Sequence, residues 1–203
     1  MFIERALRAP AANTLERWYA PETAARIVDE ALRRFAEERG SLSVEAGIGG
    51  AVMVRLAALT ACLYRVLLSS GLTPEEARSR TAEVAWAIYH RMGFVPGAVA
   101  RFAGRTPEAR LRAATDLFRH FPFGPPSYDM RDVDAGAGVV AFDVRRCPVA
   151  EYFEEQGLTE LCAAAFCDLD HRLAQDWSAA LTREHTLARG DDRCDFRWRA
   201  LRP

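Results

Sequence analysis

Three cysteines in the last third of the sequence lie in contexts that can support chemistry. Cys147 precedes a proline, Cys167 begins the run Cys-Asp-Leu-Asp-His, and Cys194 follows the turn Gly-Asp-Asp-Arg. A thiolate is a good nucleophile and a good metal ligand, and a neighbouring carboxylate can transfer protons. If the fold brings these groups together, they form a thiol and carboxylate pocket that suits either nucleophilic chemistry or a bound metal.

Cys147 is predicted to be the N-cap of a helix, because Pro148 suits the first helical position. The positive end of a helix and its free backbone N–H groups favour a thiolate, so the sequence predicts a lowered pKa for Cys147. The alternative is a small, buried and unreactive cysteine, since free cysteines are among the most buried residues.

Cys167, Asp170 and His171 are spaced to share one face of a helix predicted over residues 159–177. A thiol, a carboxylate and an imidazole in one patch can act as a nucleophile and as acid–base groups. The alternative is a solvated Asp–His pair on the outside of the helix, with the cysteine at the margin of the core.

Cys194 begins a predicted strand, on which it shares a face with Phe196 and Trp198. That face is predicted to border either the core or a pocket, and the pattern leaves both open. Cys62 and Cys162 are predicted to be plain core residues.

A predicted α+β fold positions these groups, with a helical N-terminal lobe packed on a small antiparallel sheet with covering helices. Capping and proline signals predict helices over residues 21–40, 49–70, 74–93 and 107–120. The proline-rich segment 122–126 cannot continue a helix. We therefore predict a helical lobe over residues 1–125 and an α+β lobe over residues 126–203, which together form one unit.

The second lobe is predicted to contain two hairpins and two helices. The hairpins are predicted over residues 128–133 with 138–145, and over 184–188 with 194–201. Helices are predicted over residues 148–156 and 159–177. Because a lone hairpin is barely stable, both hairpins are expected in one sheet.

Composition limits the class of protein. The 203 residues carry 27 Lys and Arg against 28 Asp and Glu, so the net charge of −1 gives no reason to expect a nucleic-acid partner. Five cysteines in a chain of this size predict reduced thiols and a cytoplasmic location. Residues 1–10 lack a signal-peptide core, and the apolar stretch 48–68 is interrupted by Arg55 and Arg65, which predicts a buried helix rather than a membrane span.

Residues 145–200 resemble the L-2-amino-thiazoline-4-carboxylic acid hydrolase family. Three ordered motifs carry the resemblance: Arg-Cys-Pro-Val-Ala-Glu-Tyr from Arg146, Phe-Cys-Asp-Leu-Asp from Phe166, and Gly-Asp-Asp-Arg-Cys-Asp-Phe from Gly190. The resemblance implies hydrolysis of a small cyclic amidine without a cofactor, by attack on an electrophilic C=N carbon. Its catalytic residues would be Cys147, Cys167, Asp170, His171 and Cys194, its partner a small-molecule substrate, and a homo-oligomer is left open.

A second likeness, to the 4-vinyl reductase type of small-ligand sensor domain, implies binding without catalysis. Those domains hold zinc on cysteines near a Gly-Asp-x-x-Cys motif, but Thr186 stands here where they have the first cysteine. A hydroxyl is a poor zinc ligand, so no metal is favoured. If zinc were present, Cys147, Cys167 and Cys194 would be its predicted ligands.

Overall fold

Five helices form the first part of the chain, and a four-stranded sheet follows them. The computed structural model describes residues 2–201, without the side chains of residues 2–5, 101 and 103. The helices are α1 (Phe2–Leu15), α2 (Pro21–Glu38), α3 (Ile48–Ser69), α4 (Pro74–Ala103) and α5 (Pro107–His120). The predicted α+β class is confirmed.

The starts of α4 and α5 follow from local sequence. Thr73 caps α4 by accepting a hydrogen bond from the backbone N–H of Glu76, whose side chain bonds back to the Thr73 N–H. Thr106 likewise accepts from the N–H of Ala109 at the start of α5.

Helix α4 does not end near Gly93, as its sequence predicts, but continues to Ala103. Gly93 serves close packing rather than termination: a Cβ built there would lie 2.3 Å from the Leu173 side chain. The Trp177 indole also donates to the Gly93 carbonyl at 3.1 Å. The glycine therefore lets a later helix approach α4.

Helix α3 is the most buried helix of the first half, as predicted. By length and composition it is the one helix among the described residues that could cross a membrane. Its apolar side chains form the centre of a core that includes residues of α1, α2 and α4.

The sheet is antiparallel in the order β1-β2-β4-β3, with strands β1 (Asp129–Asp132), β2 (Val139–Arg146), β3 (Ala179–Thr182) and β4 (Cys194–Ala200). Strands from both predicted hairpins lie in this one sheet. The predicted strand over residues 184–188 is wrong, because the partner of β4 is β3. Residues 187–189 form instead a short 3₁₀ turn.

The remaining helices lie between β2 and β3. They are α6 (Pro148–Glu155), α7 (Thr159–Cys162) and α8 (Leu169–Asp176). The continuous helix predicted over residues 159–177 is interrupted, since Ala163–Cys167 forms a π-helical turn. Such turns occur frequently at functional sites, and this one carries a cysteine at its end.

Candidate functional site

A cavity of about 100 Å³ is lined by the sheet and by helices from both halves of the chain. It is smaller than a cavity of about 150 Å³ that is known to hold benzene. Most of its wall is apolar or aromatic: Phe118, Phe123, Tyr128, Met130, Phe142, Val144, Val149, Phe166, Phe196 and Trp198. Its other lining residues are polar or carry thiols: Tyr89, Arg119, Cys147, Cys162, Cys167, Asp170, Arg183 and Cys194.

The sheet contributes a stacked aromatic pair to the cavity. Phe142 of β2 lies directly opposite Phe196 of β4, and their rings stack with centroids 5.0 Å apart. The guanidinium of Arg119 lies 4.4 Å from the Phe142 ring centre, and that of Arg183 lies 5.1 Å from the Phe196 ring centre. The pair therefore offers a flat apolar surface with a cation over each ring.

A buried ion pair forms the polar side of the cavity. Arg183 donates to Asp170 at 2.9 Å, and their side chains are only 3% and 14% exposed. The Tyr89 hydroxyl donates to the other Asp170 oxygen at 2.6 Å, and Arg183 also donates to the Cys167 carbonyl at 2.8 Å. Burial raises the pKa of Asp170, although Arg183 and Tyr89 act in the opposite direction. A carboxylate held this way can exchange a proton closer to neutral pH than an exposed one.

Burial also raises the pKa values of two cavity thiols, those of Cys147 and Cys194. Cys147 is the N-cap of α6, as predicted, but its side chain makes no capping hydrogen bond. Burial raises the pKa of Cys147 even though the nearby N–H groups of Ala150 and Val149 act to lower it. Burial raises the pKa of Cys194 to about 12. The predicted lowering of the Cys147 pKa is therefore wrong, because the dipole of a short helix is weaker than the cost of charging a buried thiol.

The π-helical turn brings a fourth thiol to the site. Cys162 lies just before the turn and Cys167 at its end. The neighbouring Cys167 side chain, together with burial, raises the pKa of Cys162. The sequence predicts Cys162 as core only. It is 1% exposed and packs in the core, and it also lines the cavity.

The segment between β3 and β4 is folded by the carboxylates of the last motif. Asp195 accepts hydrogen bonds from the backbone N–H groups of Glu184 and His185 at 3.0 and 2.6 Å, and Asp191 accepts from that of Thr186 at 2.7 Å. These bonds satisfy donors that the predicted strand would have paired with a neighbour, which explains why residues 184–188 leave the sheet.

The same segment positions two cavity residues at its ends. Gly190 has a φ of +90°, a conformation that favours glycine, and it ends the 3₁₀ turn. The Leu187 N–H donates to the Cys194 sulfur at 3.2 Å. The motif therefore acts as a scaffold that sets Arg183 and Cys194 against the cavity.

Four of the five predicted site residues line this one cavity: Cys147, Cys167, Asp170 and Cys194. His171 does not, since it is exposed, and the π-helical turn breaks the face it was expected to share with Cys167. Sequence reasoning missed Arg183, which has no motif of its own. The signal for Tyr128 was equally weak, because a single tyrosine after a proline-rich segment has no chemical pattern.

All five cysteines are free. Among residues 2–201, one group of three potential metal ligands has its donor atoms within 4.8 Å of one another, namely Glu184, His185 and Asp195, and it contains no cysteine. One oxygen of that group is already committed, since Asp195 Oδ1 accepts hydrogen bonds from two backbone N–H groups. That no metal is favoured, with Cys147, Cys167 and Cys194 as the ligands if zinc is present, stays a prediction.

Taken together, the fold and the cavity define an α+β protein with a thiol-lined cavity between its sheet and its helices. The sequence profile of the L-2-amino-thiazoline-4-carboxylic acid hydrolase family matches residues 53–198, and the chain belongs to that family. The match extends well before the 145–200 segment that carries the recognisable motifs, and it crosses the predicted boundary at residue 125.

Comparison with other proteins gives little more. No curated protein matches the sequence. Among solved structures, the crystal structure of the Fe(II) unliganded H-NOX protein from K. algicida aligns over 98% of this chain and 96% of that chain, with 8% sequence identity and a TM-score of 0.47.

Proposed function

We propose that the protein is a hydrolase that opens or cleaves a C–N bond of a small cyclic amidine-like substrate of the 2-aminothiazoline-carboxylate type. Family membership supports the reaction class. The observation that carries the proposal is the presence of Cys167 and the Asp170–Arg183 pair in the wall of one cavity. A nucleophile and an acid–base group within one site are what hydrolysis of a C=N bond requires.

The first step is addition to the amidine carbon. Either the Cys167 sulfur or a water molecule forms the new bond, while the C=N π electrons pass to nitrogen, which takes up a proton. Cys147 and Cys194 suit this role less well, because burial keeps both thiols protonated. Arg183 supplies positive charge beside Cys167, which stabilises negative charge that develops there.

The second step breaks a bond. The tetrahedral carbon expels its leaving atom with the bonding electrons, and that atom takes a proton. If Cys167 was the nucleophile, a water molecule then adds to the thiol-bound carbon and the sulfur departs, which regenerates the enzyme. We assign the proton transfers to Asp170, whose raised pKa suits this exchange. His171 is given no role, since it lies outside the cavity.

The test is an assay of 2-aminothiazoline-4-carboxylate hydrolysis in which chromatography measures the loss of substrate. Cys167→Ser and Asp170→Asn should each lower the rate by about 10²- to 10⁴-fold. Cys62→Ser is the matched control, because Cys62 is fully buried in the helical core away from the cavity. Activity that survives both site substitutions would refute the assignment of these residues.

A small-ligand-binding domain without catalysis is the second candidate. One observation favours it: burial keeps Cys147 and Cys194 as neutral thiols within a mostly apolar wall. Such a site suits a neutral, planar ligand. In that case calorimetry would detect binding of a cyclic amidine or related ring, while no turnover would occur.

A further inference from the structure

The buried polar atoms that lack a hydrogen-bond partner all belong to residues of the cavity. Within residues 2–201, the buried side-chain nitrogen and oxygen atoms without a partner are Arg119 Nε, the Tyr128 hydroxyl and Trp198 Nε1. Each of these three residues lines the cavity. Because native proteins pair nearly all of their buried polar groups, three unpaired donors on residues that line one cavity are candidates to bind the acceptors of a ligand.

Tyr128 lies near two thiols of the cavity, those of Cys147 and Cys162. Its residue is 4% exposed. Burial raises its pKa well above the ordinary value, and the nearby Cys147, Glu45 and Cys162 side chains raise it further. Its hydroxyl therefore keeps its proton. It can donate a hydrogen bond to an acceptor that lies beside the thiols.

The segment that carries Tyr128 is held firmly from both sides. The Arg146 guanidinium donates to the Ser127 carbonyl at 2.7 Å, and the Gly47 N–H donates to the Ser127 hydroxyl at 3.2 Å. At Gly50 a Cβ would lie 2.2 Å from that hydroxyl, so only glycine allows this approach. A donor fixed in place before the substrate binds is what transition-state stabilisation requires.

We propose that Tyr128 is a further catalytic residue, whose hydroxyl donates a hydrogen bond to the substrate nitrogen that gains electron density when the nucleophile adds to the C=N carbon. The inference rests on the proposed function. During addition the nitrogen receives the π electron pair and becomes a stronger acceptor, so the bond strengthens as the transition state forms. Such an interaction raises kcat rather than lowering KM.

Tyr128→Phe tests the proposal, with Tyr89→Phe as the matched control. Tyr128→Phe should lower kcat for 2-aminothiazoline-4-carboxylate by about 10²- to 10³-fold, with KM within about threefold of the wild type. Its melting temperature should be unchanged or higher, because the hydroxyl removed has no partner in the free protein. Tyr89→Phe should instead lower the melting temperature, since Tyr89 donates to Asp170.

A kcat for Tyr128→Phe within about threefold of the wild type would overturn the proposal, as would a loss of melting temperature equal to that of Tyr89→Phe. If the wild type hydrolyses no cyclic amidine, the proposed function fails. A binding experiment then tests whether Tyr128 donates a hydrogen bond to a ligand. Acetophenone and α-methylstyrene are then compared by ligand-observed NMR, because they differ in one acceptor oxygen. A roughly tenfold preference for acetophenone that disappears in Tyr128→Phe supports Tyr128 as the ligand donor, whereas equal binding of both probes, or of neither, refutes it.

Discussion

Two sets of polar side chains in the cavity differ in how completely their hydrogen bonds are satisfied. In the first set, Asp170 accepts hydrogen bonds from Arg183 and from Tyr89, so each carboxylate oxygen has a donor within the protein. In the second set, the Tyr128 hydroxyl and the Trp198 indole N–H have no hydrogen-bond partner. We call the first set the paired wall and the second the unpaired wall.

This difference predicts which substitutions should lower stability. A group in the paired wall should affect stability when it is removed, because its partner is left buried and unsatisfied. A group in the unpaired wall should affect stability little and affect a bound ligand more. The two walls can therefore be distinguished by measuring unfolding and activity on the same set of variants.

The largest effect is expected from Arg183→Met, which breaks the paired wall. It leaves the Asp170 carboxylate buried without its cation, so we expect the free energy of unfolding to fall by about 3–5 kcal/mol. Urea denaturation measures the loss. Arg189→Met is the control, because its ion pair with Asp168 is exposed and should contribute about 1 kcal/mol or less. Similar losses in both variants would mean that the buried pair has no special structural role.

A smaller effect is expected from Tyr89→Phe, which removes a neutral donor from the same wall. A hydrogen bond to a charged group contributes about 1.5–3 kcal/mol, so the free energy of unfolding should fall by that amount. The comparison with Tyr128→Phe in the same denaturation series sharpens the contrast between the walls. Equal stability of Tyr89→Phe and Tyr128→Phe would contradict the distinction between the two walls.

The last effect concerns the pH dependence of stability, and it tests a thiol of the same cavity. The folded-state pKa of Cys194 is about 12, whereas an unfolded cysteine titrates near about 8.5. Above that pH the unfolded chain loses a proton that the folded chain keeps, so stability falls as pH rises toward 12, by about 1.4 kcal/mol per pH unit for one such thiol. Between about pH 8.5 and 10.5, Cys194→Ser should show a shallower loss of stability than the wild type. Parallel curves would show that Cys194 is not shielded from solvent.

Much of the fold could be predicted from the sequence because its signals are local. Threonine caps, prolines at first helical positions and the apolar run of α3 each depend on neighbours within one or two helical turns. The alternation that places Cys194, Phe196 and Trp198 on one face of β4 is also local, and all three line the cavity as that pattern allows.

The sequence was less informative where side chains replace regular pairing. The end of α4 was misplaced because Gly93 contacts Leu173, far away in the chain. The strand over residues 184–188 was wrong because Asp191 and Asp195 bind its N–H groups. In both cases a contact with another segment outweighs the local preference of the residues.

By itself the sequence determined most of the elements, the family motifs and four of the cysteine and aspartate residues that line the cavity. Only the tertiary structure decided their chemical state. It buried the Cys147 thiol, so that desolvation prevails over the helix dipole, and it paired Asp170 with Arg183 from another segment. It also left the Tyr128 hydroxyl without a hydrogen-bond partner. The physical reason is that burial and partner choice depend on which segments meet in space, whereas capping and periodicity depend on residues that are adjacent in the chain.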